Sequence, residues 1–393
     1  MSKKVIVTGA EVMAIAMKQI DPGVVAAFPI TPQTAIIEEF SKFVFDGVID
    51  TEFITVESEH SALSSCIGAS AAGARAITAT SSAGLAFMWE LLGVASGMRL
   101  PIVIINVNRA LSAPINIGCD HSDSMGAKES GWIQFYSENS QEGYDNLIQA
   151  IRIAEDENVR LPAMVMIDGF ITSHCIESIE ILEDNQVKEF IGENHSTYSL
   201  LDLANPKTFG PYQTSDYYFE TKKQEADAIR DSLSIIKNVS KDFEKISHRK
   251  QPIIDTYMID DAEFAIMVLG STAGTTKSVI DEIRKSKIKV GLIKPRIFRP
   301  FPKDEILKAT KNLKALAIMD RSDSFSGCGG PLFNEVRSCL YESSNRPIIL
   351  NYIFGLGGRD TGIEDLRKVF NDLYDVASNG KIKSLVNYLG VRE

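Results

Sequence analysis

The feature that most constrains this chain is a repeated alternation of short apolar runs and helical stretches. β-Branched, apolar runs fall at residues 5–8, 24–28, 53–56, 76–80, 102–107 and 163–168. Helical stretches separate them at 10–20, 33–44, 61–72, 86–96 and 146–156. The runs beginning at 24, 53, 76 and 102 stand roughly one βαβ unit apart. Runs that are apolar throughout, rather than at every second residue, are buried on both faces. That is the condition of a parallel sheet covered by helices. The alternation resumes with strands expected at 264–270, 290–295, 313–320 and 348–354, and helices at 275–285, 303–309, 331–341 and 363–376. Between the two blocks the rhythm breaks. A charged helix at 218–247 keeps apolar positions at Ile229, Leu233, Ile236 and Phe243, which marks a connecting arm rather than disorder, either a solvent-facing linker or a helix that packs on a partner. The fold class expected is α/β, with two doubly wound, mostly parallel-sheet domains at 1–180 and 253–380. An arm at 181–252 joins them, and a tail at 381–393 follows.

Composition narrows the function. A net charge of −11 opposes non-specific binding to nucleic acid or to an anionic membrane surface. No apolar run approaches the ~18 residues of a membrane helix. Lys3 and Lys4 begin like a signal peptide, but Glu11 interrupts the apolar stretch behind them, so a first strand and helix are expected. The five cysteines, Cys66, Cys119, Cys175, Cys328 and Cys339, contain no C-x-x-C spacing. Neither a disulfide framework nor a zinc or iron–sulfur site is signalled, and a cytoplasmic location is expected.

In open parallel sheets, ligands bind beyond the carboxyl ends of the strands. After residues 24–28 comes Pro29-Ile30-Thr31-Pro32, where Thr31 suits an N-cap with Pro32 at the first helical position. The same hydroxyl and helix end could face an anionic group. After 53–56 comes Glu57-Ser58-Glu59-His60, which either compensates a helix dipole or supplies a carboxylate for proton transfer. Ser81-Ser82-Ala83-Gly84 is a small polar turn able to cradle a ligand. Arg109, after 102–107, suits either carboxylate capture or a surface ion pair. Gly118-Cys119-Asp120-His121-Ser122-Asp123 offers two Asp around a His, but near-adjacent side chains rarely converge on one ion, so no metal site is expected. No G-x-S-x-G occurs, and Gly355-Leu356-Gly357-Gly358 lacks the dinucleotide spacing.

Taken in order, these motifs form a more specific pattern. Pro29–Pro32, Glu57–His60, 80–84, Ser96-Gly97-Met98-Arg99-Leu100-Pro101, Asn108-Arg109-Ala110, Asp120–Asp123, Gly131-Trp132 and Asp168-Gly169-Phe170 are followed by Arg299-Pro300-Phe301-Pro302 and Asp320-Arg321-Ser322. The set resembles the alpha chains of pyruvate:ferredoxin oxidoreductases, within the thiamine diphosphate-dependent 2-oxoacid:ferredoxin oxidoreductase family, over nearly the whole length. The resemblance implies a pyrimidine-binding domain followed by a transketolase C-terminal-like domain. It implies oxidative decarboxylation of pyruvate with coenzyme A to acetyl-CoA, CO2 and reduced ferredoxin. Glu59 matches the glutamate on the cofactor's aminopyrimidine ring, and Arg109 and Thr31 match residues on the substrate carboxylate. Pro29, Ser82 and Gly84 lie where the resemblance places the cofactor ring.

The family's diphosphate motif and its cluster cysteines are absent from this sequence. The resemblance therefore implies that thiamine diphosphate is shared with a beta subunit, and that magnesium and iron–sulfur clusters lie on partner subunits. It further implies gamma and delta subunits, a dimer of heterotetramers, and inactivity of the chain by itself. The alternatives are another 2-oxo acid (branched-chain, oxalate or 2-oxoglutarate) and a non-catalytic scaffold subunit.

Overall fold

The structure is a computed structural model and describes residues 3–194 and 198–392. In chain order the first eight strands are β1 (Lys3–Thr8), β2 (Val24–Ala27), β3 (Glu52–Thr55), β4 (Ala76–Thr80), β5 (Val103–Asn108), β6 (Ile133–Tyr136), β7 (Ala163–Asp168) and β8 (Ile176–Ile181). The later strands are β9 (Ile254–Tyr257), β10 (Phe264–Val268), β11 (Val290–Pro295), β12 (Ile297–Arg299), β13 (Ala315–Asp320), β14 (Ile348–Ile353) and β15 (Val386–Tyr388).

Two mixed sheets, mostly parallel, organise the molecule. The first runs β12-β6-β7-β5-β4-β2-β3 and the second β15-β14-β13-β10-β11-β9. β4, β5, β6 and β7 are buried at every residue, as strands covered on both faces must be. The α/β class read from the apolar runs therefore describes both sheets.

Four details depart from the sequence reading. β1 does not join the first sheet; it pairs antiparallel with β8 as a separate ribbon. Its outer face is wet, with Ile6 78% exposed, and an antiparallel ribbon tolerates one wet face where an interior parallel strand does not. β6 and β12 were not read as strands. β12, at residues 297–299 in the second block, pairs antiparallel with β6 and so extends the first sheet. The presumed tail contains β15, which closes one edge of the second sheet on β14. Thr31 is not an N-cap. The helix Thr34–Phe45 begins later, with Gln33 at the cap position, and the Thr31-Pro32 bond is cis.

The arm packs rather than projects. Helix Ser215–Ser247 buries Ala228, Ser232, Ile236, Val239 and Phe243, a stripe at helical spacing. That stripe lies along helix Ser140–Glu155, where Ser240 donates to Gln149 at 3.0 Å and Arg152 pairs with Asp242 at 2.9 Å. Fully buried Arg296 locks the junction by donating to Asn146 Oδ1 at 2.8 Å, Ser240 Oγ at 2.8 Å and the Gln251 and Pro252 carbonyls at 3.1 and 2.8 Å. Every guanidinium nitrogen is thus satisfied, as burial of that charge requires.

Candidate active site

Strand order places the crevice. From β2 the chain adds β3 on one side, then returns to add β4 on the other. The loops after β2 and β4 therefore diverge, and the gap between them is where an open parallel sheet takes a ligand. Pro29, Thr31, Ser82 and Gly84 occupy those two loops, and Glu59 follows the neighbouring β3.

Glu59 opens helix Glu59–Ala71 behind its N-cap, Ser58, whose hydroxyl accepts from the Ser61 N–H at 3.2 Å. The Glu59 side chain is directed inward, with the residue 8% exposed. A Cβ built on Gly84 would stand 2.8 Å from Glu59 Oε1 and 2.5 Å from Thr80 Oγ1. Glycine at 84 is what lets the carboxylate reach the β4 turn. Among the described residues no hydrogen bond ties down the Glu59 carboxylate at the crevice, and the neighbouring Thr80 hydroxyl is fully buried and unpartnered. An unpaired carboxylate at a crevice beside a buried hydroxyl without a partner fits a polar heterocycle that supplies the missing hydrogen bonds.

Arg109 follows β5 and is 7% exposed. Its Nη1 donates to the Thr31 carbonyl at 2.9 Å and its Nε to the Asn116 carbonyl at 3.1 Å. The two residues expected at a substrate carboxylate are therefore in contact, but through the Thr31 backbone. Among the described residues Nη2 has no hydrogen-bond partner, which leaves donor capacity for an anionic group. Pro29 is exposed beside the same loop.

Ser82 lies in the expected turn, with its donors directed into the fold. It is fully buried with φ 50°, its hydroxyl donates to the Ala110 carbonyl at 2.5 Å, and its N–H donates to Asp123 at 3.0 Å. Both donors are consumed inside the fold, so Ser82 shapes the turn that carries Gly84. Asp123 also accepts from the Arg109 N–H and from the Asn106 and Asn108 side chains. In the sequence Asp123 stands in the motif Asp120–Asp123, read as loop structure or active-site support rather than as a metal site, with no role of its own. The available signal was Asn106 and Asn108, two amides at i and i+2 on one face of an otherwise apolar strand.

The loop that carries Asp123 is gripped by the second sheet. The His121 N–H donates to the Arg321 carbonyl at 2.7 Å, and the Gly357 N–H donates to Asp120 at 3.0 Å. His121 Nε2 lies 2.8 Å from Asp168 Oδ1, and Arg321 pairs with Asp168 Oδ2 at 2.9 Å. Ser271 donates its N–H to the same carboxylate at 3.0 Å. Burial alone would raise the Asp168 carboxyl, but the His121, Arg321 and Ser271 contacts outweigh it and hold the group well below the usual range. Cys119, His121 and Asp168 converge closely enough to hold an ion. Arg321, however, already supplies a cation there, and burial holds the Cys119 thiol in its neutral form, its pKa well above the usual value. The arrangement is an ion-pair knot between the two sheets.

A family model described as pyruvate flavodoxin/ferredoxin oxidoreductase, thiamine diphosphate-binding, matches residues 15–241. A second, described as pyruvate:ferredoxin oxidoreductase core domain II, matches residues 262–366. Pyruvate synthase subunit PorA of Thermotoga maritima is 50% identical over 392 residues, covering 100% of this chain and 99% of that one. The PorA subunit of Methanocaldococcus jannaschii is 45% identical, covering 93% and 94% of the two chains. Ketoisovalerate oxidoreductase subunit VorA of Pyrococcus horikoshii is 42% identical, covering 98% and 97%. Among solved structures, a 2-oxoglutarate:ferredoxin oxidoreductase from Magnetococcus marinus superposes with a TM-score of 0.74 at 18% identity. That match spans 94% of this chain and 65% of the other, and it speaks to the fold. On the two family models and the full-length relatives, the chain belongs to the pyruvate:ferredoxin oxidoreductase family, with a thiamine diphosphate-binding domain as its first unit.

Proposed function

We propose that this chain is the alpha subunit of a pyruvate synthase, an enzyme that oxidatively decarboxylates pyruvate with coenzyme A to acetyl-CoA, CO2 and reduced ferredoxin. The observation that carries the reading is Glu59, whose carboxylate no hydrogen bond ties down among the described residues, seated against Gly84 in the switch-point crevice. Thiamine diphosphate, when bound, supplies the electron sink that makes loss of CO2 from a 2-oxo acid feasible. Glu59 would hydrogen-bond the pyrimidine ring through its carboxyl group and exchange a proton with it. The Gly84 turn presses the carboxylate into place and keeps water from its inner edge. Arg109 pairs its free Nη2 with the substrate carboxylate and so orients the 2-oxo group, while the Thr31 carbonyl fixes the angle of the guanidinium.

The diphosphate, magnesium, and iron–sulfur clusters are assigned to beta, gamma and delta subunits of the same complex, with the site closed at the alpha–beta interface. The setting is cytoplasmic, and among the described residues no helix is long and apolar enough to cross a membrane. The domain division is placed at 1–180, 181–252 and 253–380, with β12 lent to the first sheet and β15, from the expected tail at 381–393, added to the second. Similarity to VorA subunits supports a branched-chain 2-oxo acid as the second reading of substrate.

The purified complex, assayed anaerobically with a panel of 2-oxo acids, coenzyme A and ferredoxin, should prefer pyruvate. Arg109→Ala should raise the KM for pyruvate by about tenfold or more, the scale of a lost charge-assisted contact. No activity with any 2-oxo acid would overturn the reading, and preference for a branched-chain acid would select the second one.

A further inference from the structure

We propose that Asp123 is a positioning residue that locks the substrate-side arginine and the cofactor-side turn into one register. The inference rests on the proposed role of Arg109. Asp123 sits in the short helix Ser122–Gly126 and is 4% exposed. Its Oδ2 accepts from the Ser82 N–H at 3.0 Å, the Arg109 N–H at 3.2 Å and Asn106 Nδ2 at 3.1 Å. Its Oδ1 accepts from Asn108 Nδ2 and from the Ser124 N–H, each at 2.7 Å.

Every one of these donors is neutral. A buried carboxylate held only by neutral donors is costly unless the geometry uses all of them. Here a single oxygen bridges two backbone N–H groups from loops that follow different strands. One belongs to the turn that carries Gly84 against Glu59, and the other to the residue that carries the guanidinium. Displacing that oxygen moves both halves of the crevice relative to each other. Asn116, in the same loop as Asp123, grips the far end of Arg109 through its carbonyl. The arginine is thus held at its backbone and at its head by one segment.

Asp123→Asn keeps the shape but sets an amide N–H₂ against N–H donors on one of its two sides. In the assembled complex the KM for pyruvate should rise by about tenfold or more, while the KM for coenzyme A stays within about twofold. A purely structural defect would instead lower the maximal rate through loss of active enzyme and leave both KM values alone. Asn106→Ala removes one strut without disturbing the charge, and should raise the pyruvate KM in the same direction by about threefold. It decides the matter if Asp123→Asn does not assemble. Combining Asp123→Asn with Arg109→Ala should add nothing to the KM of Arg109→Ala alone. If Arg109→Ala raises the pyruvate KM but neither Asp123→Asn nor Asn106→Ala does, the positioning role is overturned and the role of Arg109 stands. If Arg109→Ala leaves that KM unchanged, both fall.

Discussion

Single residues decide much of the behaviour of this chain, and Asp320 shows how. At the end of β13 it accepts from the Leu332 N–H at 2.7 Å, the Phe333 N–H at 3.2 Å and Asn351 Nδ2 at 2.9 Å. It thereby caps helix Pro331–Leu340, whose own N-cap is Gly330. Burial nevertheless pushes its carboxyl up to about 7. The folded chain holds this proton where the unfolded chain, with an ordinary carboxyl near ~4, has lost it. The stability that this group contributes is therefore full below about pH 4 and is lost as pH rises towards about 7. Asp320→Asn should flatten the fall in unfolding temperature over that range, whatever it does to the absolute value. An unchanged slope would contradict the assignment. Residue chemistry was partly legible beforehand. Glu59 and Arg109 stood out because charged groups at the ends of apolar strands need a reason to be there. Arg296 did not, because its value lies in acceptors brought from distant segments, which no local pattern records, and Asp123 was visible only through its motif and the paired amides Asn106 and Asn108.

At the scale of elements, turns and caps carry the site. The Ser82–Gly84 turn works only because Gly84 has no side chain. Gly84→Ala would force apart Thr80 and Glu59, and the displaced carboxylate should cost about 100-fold in turnover by the assembled complex. Gly68, in the helix that Glu59 opens, has open space around it, so Gly68→Ala should leave the unfolding free energy of the chain unchanged or raise it by ~0.5–1 kcal/mol and leave turnover by the complex unchanged. Similar losses from both changes would contradict the packing argument. Strands buried on both faces were legible, since continuous apolar runs allow few other readings. The pairing of β1 with β8 was not, because a run of four apolar or β-branched residues carries no record of its partner. Thr31 failed as a cap for a related reason: the helix begins three residues later, and its loop is set by the contact with Arg109.

The whole molecule explains why one chain carries two similar sheets but one crevice. In the second sheet the chain adds β11 on one side of β10 and β13 on the other, so a second switch point opens between the loops that bear Ser271 and Arg321. Asp168 from the first sheet fills it, bonded to both. The second unit thus holds the loop that carries His121 and Asp123. Arg321→Met should leave the Asp168 charge buried with a weakened set of partners and destabilise the chain by ~3–5 kcal/mol in denaturant unfolding. An unchanged midpoint would show that the knot does not bind the sheets together. The central claim is that Glu59 of this chain serves a cofactor completed by another chain. The most direct measurement is pyruvate-dependent ferredoxin reduction by the reconstituted complex carrying Glu59→Gln. Turnover should fall by about 100-fold or more with the complex intact, and activity equal to that of the unaltered complex would contradict the account.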